Sequence, residues 1–296
     1  MTRMTKGEKA FQVFDVLFLA LITLSCLIPL LYVLANSFSE KDAVDSKLVT
    51  LLPVGFNTAN YEFVLRRVAF WKSFLVSIKR VVLGVPLNLY LMITVAFVLN
   101  HDNTKLSGRT AYTWFFVFTM LFGGGLIPSY LLVKELGLID SIWALILPGC
   151  VPIYNTILML NFFRQLPNEL EDAAIIDGAG YLRVLWRIIV PVSTPSIATM
   201  VLFQTVGHWN GWLEGILFMN KMEDYPLQSY LRSVLVTNNA METGSFNATD
   251  AKIWETISED GSRCAQIIIA MIPILSVYPF LQRYFVKGIT LGSVKG

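Results

Sequence analysis

The sequence predicts an all-α, polytopic membrane protein with six transmembrane helices and one helical loop on the cytoplasmic side. Composition gives the first reason: 55% of the 296 residues are hydrophobic, 15% are charged, and mean hydropathy is +0.59. The second is that the apolar residues gather into six runs that are apolar all round, where helices of a soluble domain of this length would carry a single apolar stripe. The third is a charged, helix-forming segment, Pro167 to Pro191, set between two of these runs. The spans fall at about 13–36, 73–100, 110–133, 141–163, 188–213 and 264–283, with the charged loop at 164–187, and the chain 1–296 reads as a single transmembrane domain.

The N-terminal MTRMTKGEK places Arg3, Lys6 and Lys9 ahead of the first run. Val16 to Ala35 is twenty residues without a charge, enough for a full span at about 1.5 Å per residue. No small-residue cleavage site follows, so this reads as an uncleaved span with a cytoplasmic N-terminus. Asn36 to Phe70 is polar outer sequence in which Pro53, Gly55 and Asn57 break any long helix. Lys79 and Arg80 then pose a problem of placement. A cation at the bilayer centre costs about 2.5–3.5 kcal/mol, while each Leu or Ile returns only about 0.3–0.6 kcal/mol. Val81 to Asn100 supplies twenty uncharged residues alone, so the pair is expected to snorkel to the outer interface beside Trp71. Lining a polar pathway is the alternative.

A short polar turn with His101, Lys105 and Arg109 leads to the third span, which Gly123, Gly124, Gly125 and Pro128 interrupt; Pro148, Gly149 and Pro152 interrupt the fourth. Such breaks are tolerated in a membrane where neighbouring helices or water satisfy the freed backbone groups. The fifth span is the most polar, holding Pro191, Pro195, Gln204, His208, Trp209, Asn210 and Trp212. His208 reads as a hydrogen-bonded histidine packed between helices rather than a proton relay, since no acidic residue lies in the span to partner it. The remaining cluster fits two readings. Indole faces stack on sugar rings and amides hydrogen-bond hydroxyls, so Gln204, His208, Trp209, Asn210 and Trp212 would line a sugar path, or the tryptophans form an interfacial aromatic belt.

Glu214 to Gly261 is a long, acid-rich outer segment, and Asn247 there sits in a glycosylation tripeptide of the kind that occurs by chance. The sixth span lies between Arg263 and Arg283 with Pro273 and Pro279 as expected bends, and the tail from Phe285 ends inside. Basic residues concentrate in the proposed inner segments and the last outer segment is acidic, in keeping with a positive-inside topology.

In the loop, Asn168 is placed to cap a helix with Glu171 as the reciprocal capping residue, and Gly178 stops it. Two turns are too short to be stable alone, so something packs on them. Leu170, Ala173, Ala174 and Asp177 share one face, and the alanines leave it flat enough for close backbone approach. Beyond the glycine, Leu182, Leu185, Trp186 and Ile189 lie on one side with Tyr181, Arg183 and Arg187 off it, as in an interfacial helix. An ordinary solvated loop is the other reading.

The residues Glu171, Asp172, Ala173, Ala174, then Asp177, Gly178, Ala179, then Ile189 and Pro191 resemble the EAA loop of binding-protein-dependent ABC importers, with Asp172 standing where that family usually has Glu. The resemblance runs from GGGLIPSYLLVKELGLIDSIWALILPG through this loop to HWNGW and the terminal GSVKG. It is to permease subunits of carbohydrate importers, of the kind represented by the second maltose permease subunit, and closest to the branch for complex oligosaccharides and polysaccharide fragments. It implies the type I importer permease fold, with Glu171 to Ala179 as a coupling helix seated in a cleft on an ATPase. It also implies a homologous second permease, two ATPase subunits that hold ATP with Mg, an extracellular or periplasmic solute-binding protein, and a bacterial plasma membrane location. The tail, with Gly292, Lys295 and Gly296, would reach the ATPase interface.

Other functions lack their residues. No HExxH, GxSxG or GxxxxGK[ST] occurs, and the only histidines are His101 and His208. No cysteine or histidine pair has metal-ligand spacing, and no basic tract suits nucleic acid. If the chain pumps, energy arrives from a separate subunit through the charged loop, and closure of that subunit moves the helix as a lever while the Gly- and Pro-interrupted third and fifth spans bend. A membrane scaffold whose loop binds a partner other than an ATPase is the alternative.

Overall fold

The computed structural model describes residues 5–102, 106–236 and 256–293, and no β-strand occurs among them. In chain order, α1 (Lys6–Ser37), α2 (Lys41–Asp45) and α3 (Ala59–Arg66) precede the long α4 (Val68–Asn100). Then come α5 (Arg109–Leu121), α6 (Leu126–Glu135), two 3-10 turns (Ile142–Leu145 and Leu147–Gly149), α7 (Ile153–Phe163) and α8 (Glu169–Ile176). A composite segment follows, made of α9 (Tyr181–Val184), a π-helical turn (Leu185–Ile189) and α10 (Val190–Val192). The chain continues through α11 (Thr194–Asn210), α12 (Leu213–Phe218), α13 (Leu227–Val236) and α14 (Glu259–Ser293).

Three helical stretches are single elements long and apolar enough to cross a membrane: Gly7–Ser37, Val68–Asn100 and Glu259–Val277. Three more pass the same test only as bent pairs. The helices bend by 112° between Leu121 and Leu126, by 50° between Gly149 and Ile153, and by 85° between Val192 and Thr194. Each bend falls at Gly or Pro residues that remove or redirect backbone hydrogen bonds. Gly125 takes φ +89°, a conformation open to glycine. The fourth span is thus bent along with the third and fifth, and Pro273 and Pro279 lie inside one helix. That helix runs to Ser293, so Gly292 belongs to its last turn rather than to a loose tail. Lys295 and Gly296 lie outside the described residues, as do Arg3, Lys105 and Asn247.

The chain forms two compact units. One comprises Met1–Phe70 with Ser233–Met271. Here α1 starts in a capping box, Thr5 and Glu8 each accepting the other's backbone N–H. None of its most apolar window is buried. The short helices after it close over Ala35, Ala43, Val44 and Val49, and the Asn60 amide donates to the carbonyls of Ser37 and Ser39.

The other unit comprises Trp71–Arg232 with Ile272–Gly296. Its larger core joins Met92, Ala96 and Phe97 of α4 to Met159 and Phe163 of α7, and receives Ala174, Val184, Leu185 and Ile189 from the charged loop. A smaller core gathers Val133, Ala144, Leu145, Phe218 and Met219. Beside it Asp140, with φ +60°, accepts from the backbone N–H of Asn220 at 2.6 Å and from its amide at 2.7 Å. Those two bonds hold the Asp140 carboxyl below its usual range, the backbone N–H contributing most.

Candidate functional site

Two places in the second unit carry the residues of interest. The first is α8. Asn168 does not cap it: its backbone is already helical (φ −64°, ψ −25°) and its side chain makes no capping bond. Glu171 is occupied elsewhere, its Oε1 lying 3.1 Å from His101 Nε2 with both side chains about nine-tenths buried. His101 Nδ1 lies 3.0 Å from the Phe97 carbonyl, and its ring meets Phe97 and Tyr181 edge-on. Both ring nitrogens thus face acceptors. His101, read from the sequence as a loop residue, thus ties the end of α4 to α8.

The C-terminus of α8 is a Schellman motif. Ala179 N–H donates to the Ala174 carbonyl at 2.9 Å and Gly178 N–H to the Ile175 carbonyl at 3.0 Å, with Gly178 at φ +81°. Ala174 and Ala179 both join the larger core, which supplies the hydrophobic contact of that motif. The face expected to hold Leu170, Ala173, Ala174 and Asp177 together is therefore split. Glu171 and Ala174 turn into the protein, while Leu170, Asp172, Ala173, Ile175, Ile176 and Asp177 are exposed, Ile176 by 85%. Beyond Gly178 the buried residues are Val184, Leu185 and Ile189, whereas Leu182 and Trp186 are exposed, Trp186 stacking on Tyr90. The π-turn explains the change of stripe: five residues per hydrogen-bonded loop rotate the facing positions away from a 3.6 period.

The second place is a polar chamber of about 290 Å³ lined by Arg80, Asn88, Gln204, His208 and Glu214, with apolar walls from Ala144 to Pro148. Helix α4 brings Ser73, Ser77, Arg80, Gly84 and Asn88 to one face at helical spacing, and the four polar ones are buried. From α11 come Gln204 and His208, four residues apart. The Asn88 amide nitrogen lies 2.9 Å from Gln204 Oε1 and 3.0 Å from His208 Nε2. An amide nitrogen only donates, so His208 accepts at Nε2 and carries its proton at Nδ1. Gly84 makes room for the imidazole, since a Cβ there would lie 2.6 Å from Nε2.

Arg80 overturns the snorkelling expectation. Lys79 is exposed, but Arg80 is only 4% exposed. Its Nη1 donates to the Gly211 carbonyl at 3.0 Å and its Nη2 lies 3.3 Å from Glu214 Oε2. Partners 131 and 134 residues away in sequence offset a burial cost that a single-helix estimate charges in full.

Of the residues expected to line a path, Gln204 and His208 face the chamber and the other three do not. Trp209 is buried edge-on against Phe74, Trp212 lies under the Arg232 guanidinium at 3.9 Å, and Asn210 is exposed. Arg80, Asn88 and Glu214 complete the lining. The signal for Asn88 was present as an amide alone in an apolar run, eight residues after Arg80. Among the described residues no group of three His, Cys, Asp or Glu is placed to hold a metal ion.

The chain is thus a polytopic helical membrane protein in which α8 is fixed to the larger core and a polar chamber lies among bent spans. The family model described as "Binding-protein-dependent transport system inner membrane component" matches residues 51–291, and the chain belongs to that family. It is 40% identical to Protein LplC of Bacillus subtilis (strain 168) over 292 residues, covering 99% of this chain and 97% of that protein. It is 38% identical over 288 residues to the polygalacturonan/rhamnogalacturonan transport system permease protein YtcP of the same organism, covering 96% and 99%. Among solved structures it is similar to a chain of a bacterial ABC transporter involved in the import of the acidic polysaccharide alginate. The TM-score is 0.86 at 29% identity, over 96% of this chain and 100% of that one. The fold is that of an ABC importer permease, and members of this family are transport components rather than enzymes.

Proposed function

We propose that this chain is one of two homologous permease subunits of an ATP-driven importer for oligosaccharides or polysaccharide fragments, forming half of the translocation pathway as one domain, 1–296. Its partners are the second permease, two ATPase subunits that hold ATP with Mg, and a solute-binding protein that delivers the saccharide. The chain holds no nucleotide itself. It lies in a bacterial plasma membrane with both termini in the cytoplasm, and Gly292, Lys295 and Gly296 contribute to the ATPase contact.

The observation that carries this reading is the split face of α8. Its inner side is fixed by Glu171, Ala174 and the Schellman turn, while its outer side presents Asp172, Ala173, Ile176 and Asp177 to a partner. On the exposed positions of this helix Ile176 is 85% exposed, with Leu170 and Ile175 exposed as well, which gives a partner apolar side chains to cover. Seated this way, α8 passes an imposed movement to the spans through the larger core and the His101 contact. The roles of the similar permeases support the substrate class.

The test is purification of the chain from its native membrane in mild detergent, followed by ATPase assay with candidate saccharide-binding proteins. A second permease and an ATPase are expected to co-purify, with hydrolysis stimulated by one loaded binding protein. Recovery of the chain alone, or with a partner that hydrolyses no ATP, overturns the proposal.

A further inference from the structure

The geometry points to a carboxylate subsite in the polar chamber: Arg80 binds the carboxylate of a uronic-acid unit as an acidic saccharide crosses, and Glu214 is the group that this carboxylate displaces. The assignment rests on the importer reading above and adds to it which chemical group the chamber selects.

Arg80 is held in a fixed orientation. Its Nη1 is committed to the Gly211 carbonyl, and the guanidinium packs so closely on that residue that a Cβ at 211 would lie 2.6 Å from Nη1. The edge left over is the one formed by Nε and Nη2, which matches the two oxygens of a carboxylate in parallel hydrogen bonds. In this structure that edge is half used. Nη2 has the Glu214 contact at 3.3 Å, outside hydrogen-bonding geometry, whereas Nε is buried with no hydrogen-bond partner among the described residues.

Glu214 is suited to leave. Its side chain is 40% exposed against 5% for Arg80, and the Oε2 that faces Arg80 is buried without a hydrogen bond among the described residues, so its release gives up a contact but no hydrogen bond. Leaving Arg80 without any anion is costly, because a buried unpaired guanidinium pays its full desolvation penalty. An incoming carboxylate that takes both Nε and Nη2 resolves this by exchange. A neutral sugar has no such group and meets a cation already neutralised by Glu214.

The rest of the lining fits a hydroxylated ring. Asn88 Oδ1 is buried without a partner among the described residues and is an acceptor for a sugar hydroxyl, and Gln204 and His208 stand beside it. Hydroxyls donate and accept, so they match a mixed set of amide and imidazole groups. The chamber therefore reads one carboxylate and its neighbouring hydroxyls.

The experiment uses the purified importer complex without its binding protein and measures binding of trigalacturonate and of its fully methyl-esterified form, which has the same skeleton without charge. The acid is expected to bind at least tenfold more tightly than the ester to the unaltered complex. Arg80→Gln should abolish that preference, and Glu214→Gln should strengthen acid binding severalfold while leaving ester binding unchanged. Arg80→Lys, which keeps charge but not the fork, should fall between. Equal binding of acid and ester, binding of neither, or a preference that survives Arg80→Gln in complexes recovered at normal yield overturns the proposal. Uptake of a neutral oligosaccharide by the same complex separates the outcomes: if it persists without any acid preference, the importer reading stands and the carboxylate subsite falls.

Discussion

Gly178 offers the cleanest perturbation of coupling, because its role can be isolated from packing. A Cβ at this position would meet nothing within 4 Å, so a substitution introduces no clash. What it meets is the backbone: at φ +81° an L side chain costs about 1–2 kcal/mol relative to glycine. That penalty falls on the turn that donates the Gly178 and Ala179 N–H groups back to α8, so it lowers the ratio of capped to uncapped helix by roughly 5- to 30-fold. Gly178→Ala should therefore reduce saccharide uptake by up to about that factor with normal membrane abundance. Gly178→Val, whose β-branched side chain tolerates this region least, should abolish uptake, and Gly178→Asn should retain most of it, since asparagine enters the left-handed region more readily. The assay is uptake of labelled oligosaccharide by cells or proteoliposomes, normalised to the amount of assembled complex. Equal uptake by the glycine, alanine and valine forms at equal abundance would refute the reasoning, because the turn would then have no part in transmission.

Three further outcomes are expected. Gly84→Ala places a Cβ 2.6 Å from the present position of His208 Nε2 and breaks the Asn88 contact, a loss of about 0.5–1.5 kcal/mol, so uptake should fall severalfold; unchanged uptake at equal abundance would refute a role for that contact. His101→Ala removes the link from α4 to α8, worth about 1.5–3 kcal/mol as a bond to a charged group, and should lower the saccharide moved per ATP hydrolysed more than it lowers ATPase activity; an unchanged ratio would refute the link. Asp140→Asn should lower the thermal midpoint at pH 7, and the difference from the unaltered protein should shrink as pH falls below about 4. The sign follows from a folded carboxyl held lower than the unfolded one: its contribution is complete above the unfolded value and disappears as the folded group protonates.

The helical class, the apolar spans and the short helix closed by Gly178 were legible in the sequence because each rests on local pattern. Long apolar runs, Gly and Pro at the bends, and a glycine closing a two-turn helix all state their own consequence. The failures involve partners distant in the chain. Arg80 looked like an interfacial cation because neither Gly211 nor Glu214 lies in its window, and Glu171 looked like a capping residue because His101, seventy residues earlier, was out of view. The stripe after Gly178 departs from expectation at Leu182 and Trp186 for a different reason: a 3.6 period does not carry across a π-turn. Trp209, Asn210 and Trp212 were grouped by proximity in sequence, yet α11 ends at Asn210 and sends them in different directions.

Helix α4 crosses the second unit without interruption, Pro86 included, while the three spans around it are each bent pairs. It behaves as a rod among hinges. From His101 at its foot to Arg80 is 21 residues, about 32 Å of helix at ~1.5 Å per residue. A tilt of about 5° pivoting at the foot would carry Arg80 sideways by roughly 3 Å over that helical length. A shift of that size is comparable to the 3.3 Å separation of Arg80 and Glu214 and would dissolve the contact. On the importer reading, the stroke of a partner ATPase would be magnified by leverage, and a few degrees delivered at the foot of α4 would suffice to part Arg80 from Glu214.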